Sequence, residues 1–227
     1  MLKPKKKLLK KEVKEDKFVK TAMQAKNILE ENYSTVMFVV IGIFAIIAII
    51  SFLTYINKEN AEKANALLGQ AQLEFQNFNY MKARQFVDRL IEEYDGKDAA
   101  AQGRLLLANL DFQESKYEEA KENYKKFIDS YGGSNNILAS GYAGYAACLE
   151  HEGLYEEAAE NFETAWQKAP EFIEAPGYLY LAGLNYNKAG DQQYAQELFN
   201  RIIQDYSDSD KAEDAKIQLI LLANKSE

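Results

Sequence analysis

The sequence is poor in the residues that most protein chemistry needs. Its 227 residues include one Cys (Cys148), one His (His151), one Trp (Trp166) and three Pro. A single cysteine excludes an internal disulfide framework and a Cys-based zinc cluster. A single histidine leaves little for metal ligation or acid–base work. Cys148 and His151 stand three apart, but no third group that would orient the base and no set of oxyanion donors accompany them, so a nucleophile pair is the weaker reading. Gly132-Gly133 follows a helical stretch and lacks the Lys-Ser/Thr of a phosphate loop. Asp205, Asp208 and Asp210 lack the Gly and the terminal Glu of an EF-hand and read as a solvated acidic turn. The expectation is a protein that is not an enzyme, with no cofactor, no metal and no small-molecule substrate.

Charge is missing from one stretch only. Residues 1–35 hold ten Lys against five acidic residues, a net of +5, and residues 36–56 hold no charge at all. Residues 57–227 hold 17 Lys and Arg against 30 Asp and Glu, a net of -13. An acidic body argues against nucleic-acid binding, because a phosphate backbone requires a basic face. The uncharged stretch, VMFVVIGIFAIIAIISFLTYI, spans roughly 31 Å as a helix, about the hydrocarbon thickness of a bilayer. Tyr33 and Tyr55 bracket it, where amphipathic rings favour the interface. It is longer than a signal-peptide core, and the nearest Ala-x-Ala, Ala64-Asn65-Ala66, lies well beyond it. No Cys follows closely for lipid attachment. The expectation is an uncleaved anchor that contacts the lipid bilayer through 36–56. The lysines before it place the N-terminus in the cytoplasm and the body across the membrane. Gly42, Ala45 and Ala48 form a partial small patch on the span, which is ordinary composition for a membrane helix or a docking point for another one.

The basic head, 1–35, opens with a Lys-rich stretch over 3–11, expected to be disordered or held on anionic lipid. Residues 13–33 then carry a helical pattern, with Phe18, Ala22, Ala25 and Leu29 on one stripe. This predicts a short solvated or membrane-surface helix, or a contact helix for a cytoplasmic partner.

The body, 57–227, is an internal repeat. Tyr117-Glu-Glu-Ala120 recurs as Tyr155-Glu-Glu-Ala158, with weaker copies ending at Ala83 and Ala195. Twelve residues before each of these alanines stands another small residue: Ala71, Ala108, Ala146 and Gly183. Four residues after each stand Val87, Tyr124, Phe162 and Phe199. Two antiparallel helices approach closely only where both carry a small side chain, so each pair of small residues marks a helical hairpin. One hairpin cannot bury its own apolar face, so neighbouring hairpins stack. The spacing predicts helix pairs near 59–76/79–94, 98–114/117–131, 136–152/155–168 and 176–189/192–206, then a capping helix near 210–224.

This pattern resembles the tetratricopeptide repeat (TPR) family. The third copy matches best, through Ala146, Gly153, Tyr155, Ala158, Phe162, Ala165 and Pro170. The resemblance implies an all-α fold: a single N-terminal transmembrane helix followed by an α-solenoid of about four TPR-like hairpins. The period exceeds the roughly 34 residues usual for the family, as in TPR proteins of bacterial envelopes. A basic head, one anchor and a TPR body look most like the ancillary subunit family of the Sec translocon. That likeness implies a periplasmic body at the bacterial inner membrane, with translocon subunits and a membrane-anchored periplasmic chaperone as protein partners. An envelope scaffold for cell-wall, cell-division or outer-membrane assembly is the alternative.

Family geometry also implies a concave groove lined by the first helix of each pair. Stepping from the small residues places Asn65, Leu68, Gln72 and Phe75 in it, then Gln102, Leu105, Asn109 and Phe112, then Tyr180, Leu184 and Asn187. Amides and aromatics suit extended or partly folded polypeptide; the aromatics also suit simple packing. No basic clamp for an acidic C-terminal tail stands at these positions.

Overall fold

The computed structural model describes residues 10–224, so the Lys-rich stretch lies largely outside the described residues. Ten helices and no strand occur among those residues. They fall into two compact units, Met1–Lys58 and Glu59–Glu227.

The first unit holds α1 (Lys10–Glu31) and the start of α2 (Tyr33–Gln76). The stripe expected on α1 is present and open: Phe18 and Leu29 are exposed. The apolar stretch lies on α2, has no buried residue, and is long and apolar enough to cross a membrane. The sequence suggested a boundary between this stretch and the first repeat helix. The helix itself does not break there: α2 continues to Gln76, and the division between the two units falls within it, after Lys58. No Gly or Pro interrupts the chain between Gly42 and Gly69, and a Glu59–Lys63 pair, 2.7 Å apart, supports the turn just past the uncharged stretch.

The second unit is a stack of hairpins: the end of α2 with α3 (Tyr80–Tyr94), α4 (Asp98–Gln113) with α5 (Tyr117–Ser130), α6 (Asn135–His151) with α7 (Tyr155–Lys168), and α8 (Ala175–Ala189) with α9 (Gln192–Asp205). Helix α10 (Asp210–Ala223) covers the last pair, burying Ala212, Ala215 and Leu222. The paired small residues Ala71/Ala83, Ala108/Ala120, Ala146/Ala158 and Gly183/Ala195 are all buried. At Gly183 even a methyl group would lie 2.7 Å from the Phe199 ring, so a larger residue there would force that ring aside. Val87, Tyr124, Phe162 and Phe199 fill the spaces beside the crossings.

All four hairpins turn in the same way. At the end of each first helix one residue takes the left-handed conformation: Phe78, Ser115, Gly153 and Gly190. The next amide reaches back five residues, as Asn79 to Glu74 O, Lys116 to Asp111 O, Leu154 to Leu149 O and Asp191 to Tyr186 O. The left-handed residue's own amide bonds the carbonyl three residues before it. This pair of bonds satisfies carbonyls that the helix end would leave orphaned. An ionic group centred on the buried Asp111 braces the first two hairpins. Arg84 reaches Asp111 at 2.8 Å and Glu114 at 3.1 Å, and Asn123 donates to the other Asp111 oxygen at 2.8 Å.

Candidate functional site: a concave face in two compartments

The first helices of the hairpins share one face of the repeat unit, and two concavities open on it. The first, about 470 Å³, is lined by Gln72, Gln102, Leu105 and Asn109 together with Asn136, Ser140 and Phe172. Four residues that the family resemblance implies for the groove, Gln72, Gln102, Leu105 and Asn109, therefore converge on one chamber. Its polar lining consists of amides and hydroxyls, which both donate and accept hydrogen bonds. Asn109 is held in place by Tyr124, whose hydroxyl donates to its Oδ1 at 2.6 Å. Burial pushes the Tyr124 hydroxyl well above its ordinary pKa, so it stays protonated and remains a donor.

The second concavity, about 690 Å³, lies one helical turn further along α4 and α6. Its floor is Ala143, Gly144 and Ala147, and Phe112, Phe162 and Leu181 are among its walls. Glu150, His151 and Lys188 stand at its edge. Lys188 pairs with Glu150 and lies over the Tyr155 ring, 5.3 Å from its centroid. His151 stacks on Tyr117 with centroids 4.0 Å apart. The edge charges are thus largely satisfied within the chain, and the compartment suits a bulky apolar side chain.

The other expected groove residues lie elsewhere. Leu68 is buried in a cluster with Ala64, Leu67 and Leu90 and packs the first hairpin. Phe75 packs against the cluster of Ala71, Val87 and Leu106. Tyr180 is covered by α10: its hydroxyl bonds Gln218 at 3.2 Å, and Lys211 lies over its ring. Leu184 packs against the C-terminal core. Asn187 sits in the last turn of α8, where its carbonyl accepts the Gly190 amide. Asn65 is exposed and lines neither concavity.

Among the lining residues missed by reading the sequence are Ser140, Ala143, Ala147 and Glu150. They occupy in the third copy the places that Gln102, Leu105, Asn109 and Phe112 occupy in the second. The same stepping rule reaches them, but alanines and a serine carry no chemical signal of their own. Phe172, from the loop between α7 and α8, has no counterpart in the rule. Cys148 is buried and lines neither concavity, and burial pushes its thiol up to about 12, far from the reactive thiolate range.

A model of the tetratricopeptide repeat-like domain matches residues 26–172. The chain belongs to this family. A tetratricopeptide repeat model also matches residues 178–209, so the TPR signal covers all four hairpins, and the first match takes in the apolar stretch of α2. Solved structures agree on the fold. A tetratricopeptide repeat protein from Parabacteroides merdae is 16% identical with a TM-score of 0.59, over 72% of this chain and 61% of that one. PilF of Pseudomonas aeruginosa is 18% identical with a TM-score of 0.56, over 73% and 74% of the two chains. The MamA protein is 18% identical with a TM-score of 0.52, over 62% and 72%. No curated protein matches the chain. TPR domains generally mediate protein–protein interaction, and this chain carries such a domain.

Proposed function

We propose that this TPR protein is a membrane-anchored, non-catalytic adaptor that holds polypeptide on its concave face at the protein translocon of a bacterial inner membrane. The observation that carries the reading is the pairing of an amide chamber with an apolar one on a single face. Amides satisfy the backbone of an extended segment irrespective of sequence, and the apolar chamber retains a large side chain. The exposed apolar stretch of α2 supports an anchor, and the lysines preceding it support a cytoplasmic N-terminus and a periplasmic repeat body. Tethering raises the local concentration of the groove around segments emerging at the membrane or around a membrane-anchored periplasmic chaperone.

The test is affinity capture of the full chain from membranes after mild crosslinking. Recovery of translocon subunits or of a membrane-anchored periplasmic chaperone is the expected result; absence of both overturns the translocon reading. Recovery of Tol–Pal or barrel-assembly components instead would assign the protein to envelope scaffolding.

A further inference from the structure

A third cavity, of about 580 Å³, opens where the loop after α7 meets the turn before α10. Its walls are aromatic and apolar, including Trp166, Phe172, Ile173 and Tyr206, and Glu171, Asp205 and Asp210 stand around it. The tight hydrogen bonds within it are structural. Trp166 donates its ring N–H to the Tyr206 hydroxyl at 2.6 Å, and Tyr206 donates to the Pro170 carbonyl at 2.8 Å. These bonds fix the aromatic walls, whereas Ile173 stands 86% exposed at the lip.

The charges around the cavity are unevenly matched. Lys211 bonds Asp214 at 2.6 Å and lies 3.9 Å from Asp210. Arg201 sits over the Trp166 ring, 5.2 Å from its centroid. Glu171 and Asp205 form no ion pair among the described residues and are exposed. Their negative field, added to burial, helps raise the pKa of the Tyr206 hydroxyl. Arg201 shows that an aromatic wall here already accepts a guanidinium on one face.

We propose that this acid-edged aromatic cup takes an arginine or lysine side chain of a partner polypeptide. The cation gains the carboxylates and the ring faces together, while Phe172 and Ile173 cover the apolar neighbours of the basic residue. Polypeptide is the fitting source of the cation, because Phe172 also lines the amide chamber of the concave face. A chain seated in the cup therefore has a continuous surface to run along. Apart from Phe172, this site shares no lining residue with the two compartments that carry the adaptor reading.

Trp166 is the only tryptophan in the chain, so its fluorescence reports the cup directly. The full chain in detergent micelles is titrated with the capped octapeptide Gly-Ser-Leu-Arg-Leu-Arg-Ser-Gly and with its analogue carrying citrulline for both arginines. The expected result is a saturable change with the arginine peptide that weakens as salt is raised, and binding roughly tenfold or more weaker for the citrulline peptide. In an E171Q/D205N variant that preference is expected to disappear with thermal unfolding unchanged, and each single substitution should remove part of it. Equal affinity for the two peptides, or full affinity in the double variant, overturns the proposal. A Q102A/N109A variant should still bind; loss of the signal there would place the peptide in the concave groove and overturn the cup. The cup and the groove therefore fail by different variants.

Discussion

The first two hairpins and the last two share one packing skeleton but differ in how their turns and interfaces are finished. The left-handed residue of the turn is Phe78 and Ser115 in the first pair of copies, and Gly153 and Gly190 in the second. Two residues past the first small residue of each copy stand Leu73, Leu110, Cys148 and Asn185. Leu73 lies open on the first hairpin, 57% exposed, and the other three are fully buried between hairpins. Asn185 donates to the Leu181 carbonyl, but its Oδ1 has no hydrogen-bond partner among the described residues. The first half thus carries strained turns and the second relaxed ones, and the position two past the small residue changes from Leu to Cys and Asn. The small-residue crossings hold the architecture, and the positions around them tolerate local cost.

The comparison is broken most strongly at the aromatic beside the crossing. Phe162→Ala is expected to cost about 3–5 kcal/mol, and Val87→Ala at the same place in the first copy about 2 kcal/mol. Denaturant unfolding of the full chain, followed by circular dichroism, reads both; equal losses would deny that the later copies depend more on their aromatic. Arg84→Met is next, at about 3 kcal/mol by the same measurement, because it leaves the buried Asp111 carboxylate with Asn123 and no cation. Asn185→Leu, which restores the residue type found at Leu110, should stabilise by about 1–2 kcal/mol, seen as a rise in Tm. Ser115→Gly should stabilise by about 1 kcal/mol, and Gly153→Ser should lose a similar amount. Opposite signs for this last pair, measured side by side, would confirm that the turns differ in strain.

The hairpins were legible in the sequence because their cause is local and periodic: a small residue, twelve positions, another small residue. The amide chamber followed by stepping from those landmarks. The same step also named Leu68, Phe75 and Tyr180, which fall inside interfaces, because each lies where a neighbouring element covers it. For Tyr180 that element is α10, the expected capping helix, whose contacts the stepping rule does not include. The unbroken course of α2 was hidden by a change in composition, from wholly apolar to amphipathic, that marks the division between the units but gives the helix no reason to stop. The turns at Phe78 and Ser115 were hidden because neither residue type announces a left-handed conformation. Phe172 was hidden because a loop residue has no place in the period.

The central claim is that partners lie on the concave face. It is tested most directly by placing a photoreactive amino acid, one at a time, at positions 102, 109 and 147 on the first helices and at positions 92 and 129 on the second helices, then irradiating intact membranes. The account predicts discrete protein adducts from 102, 109 and 147 and none of comparable yield from 92 or 129. Adducts confined to 92 and 129, or equal at all five positions, would contradict it.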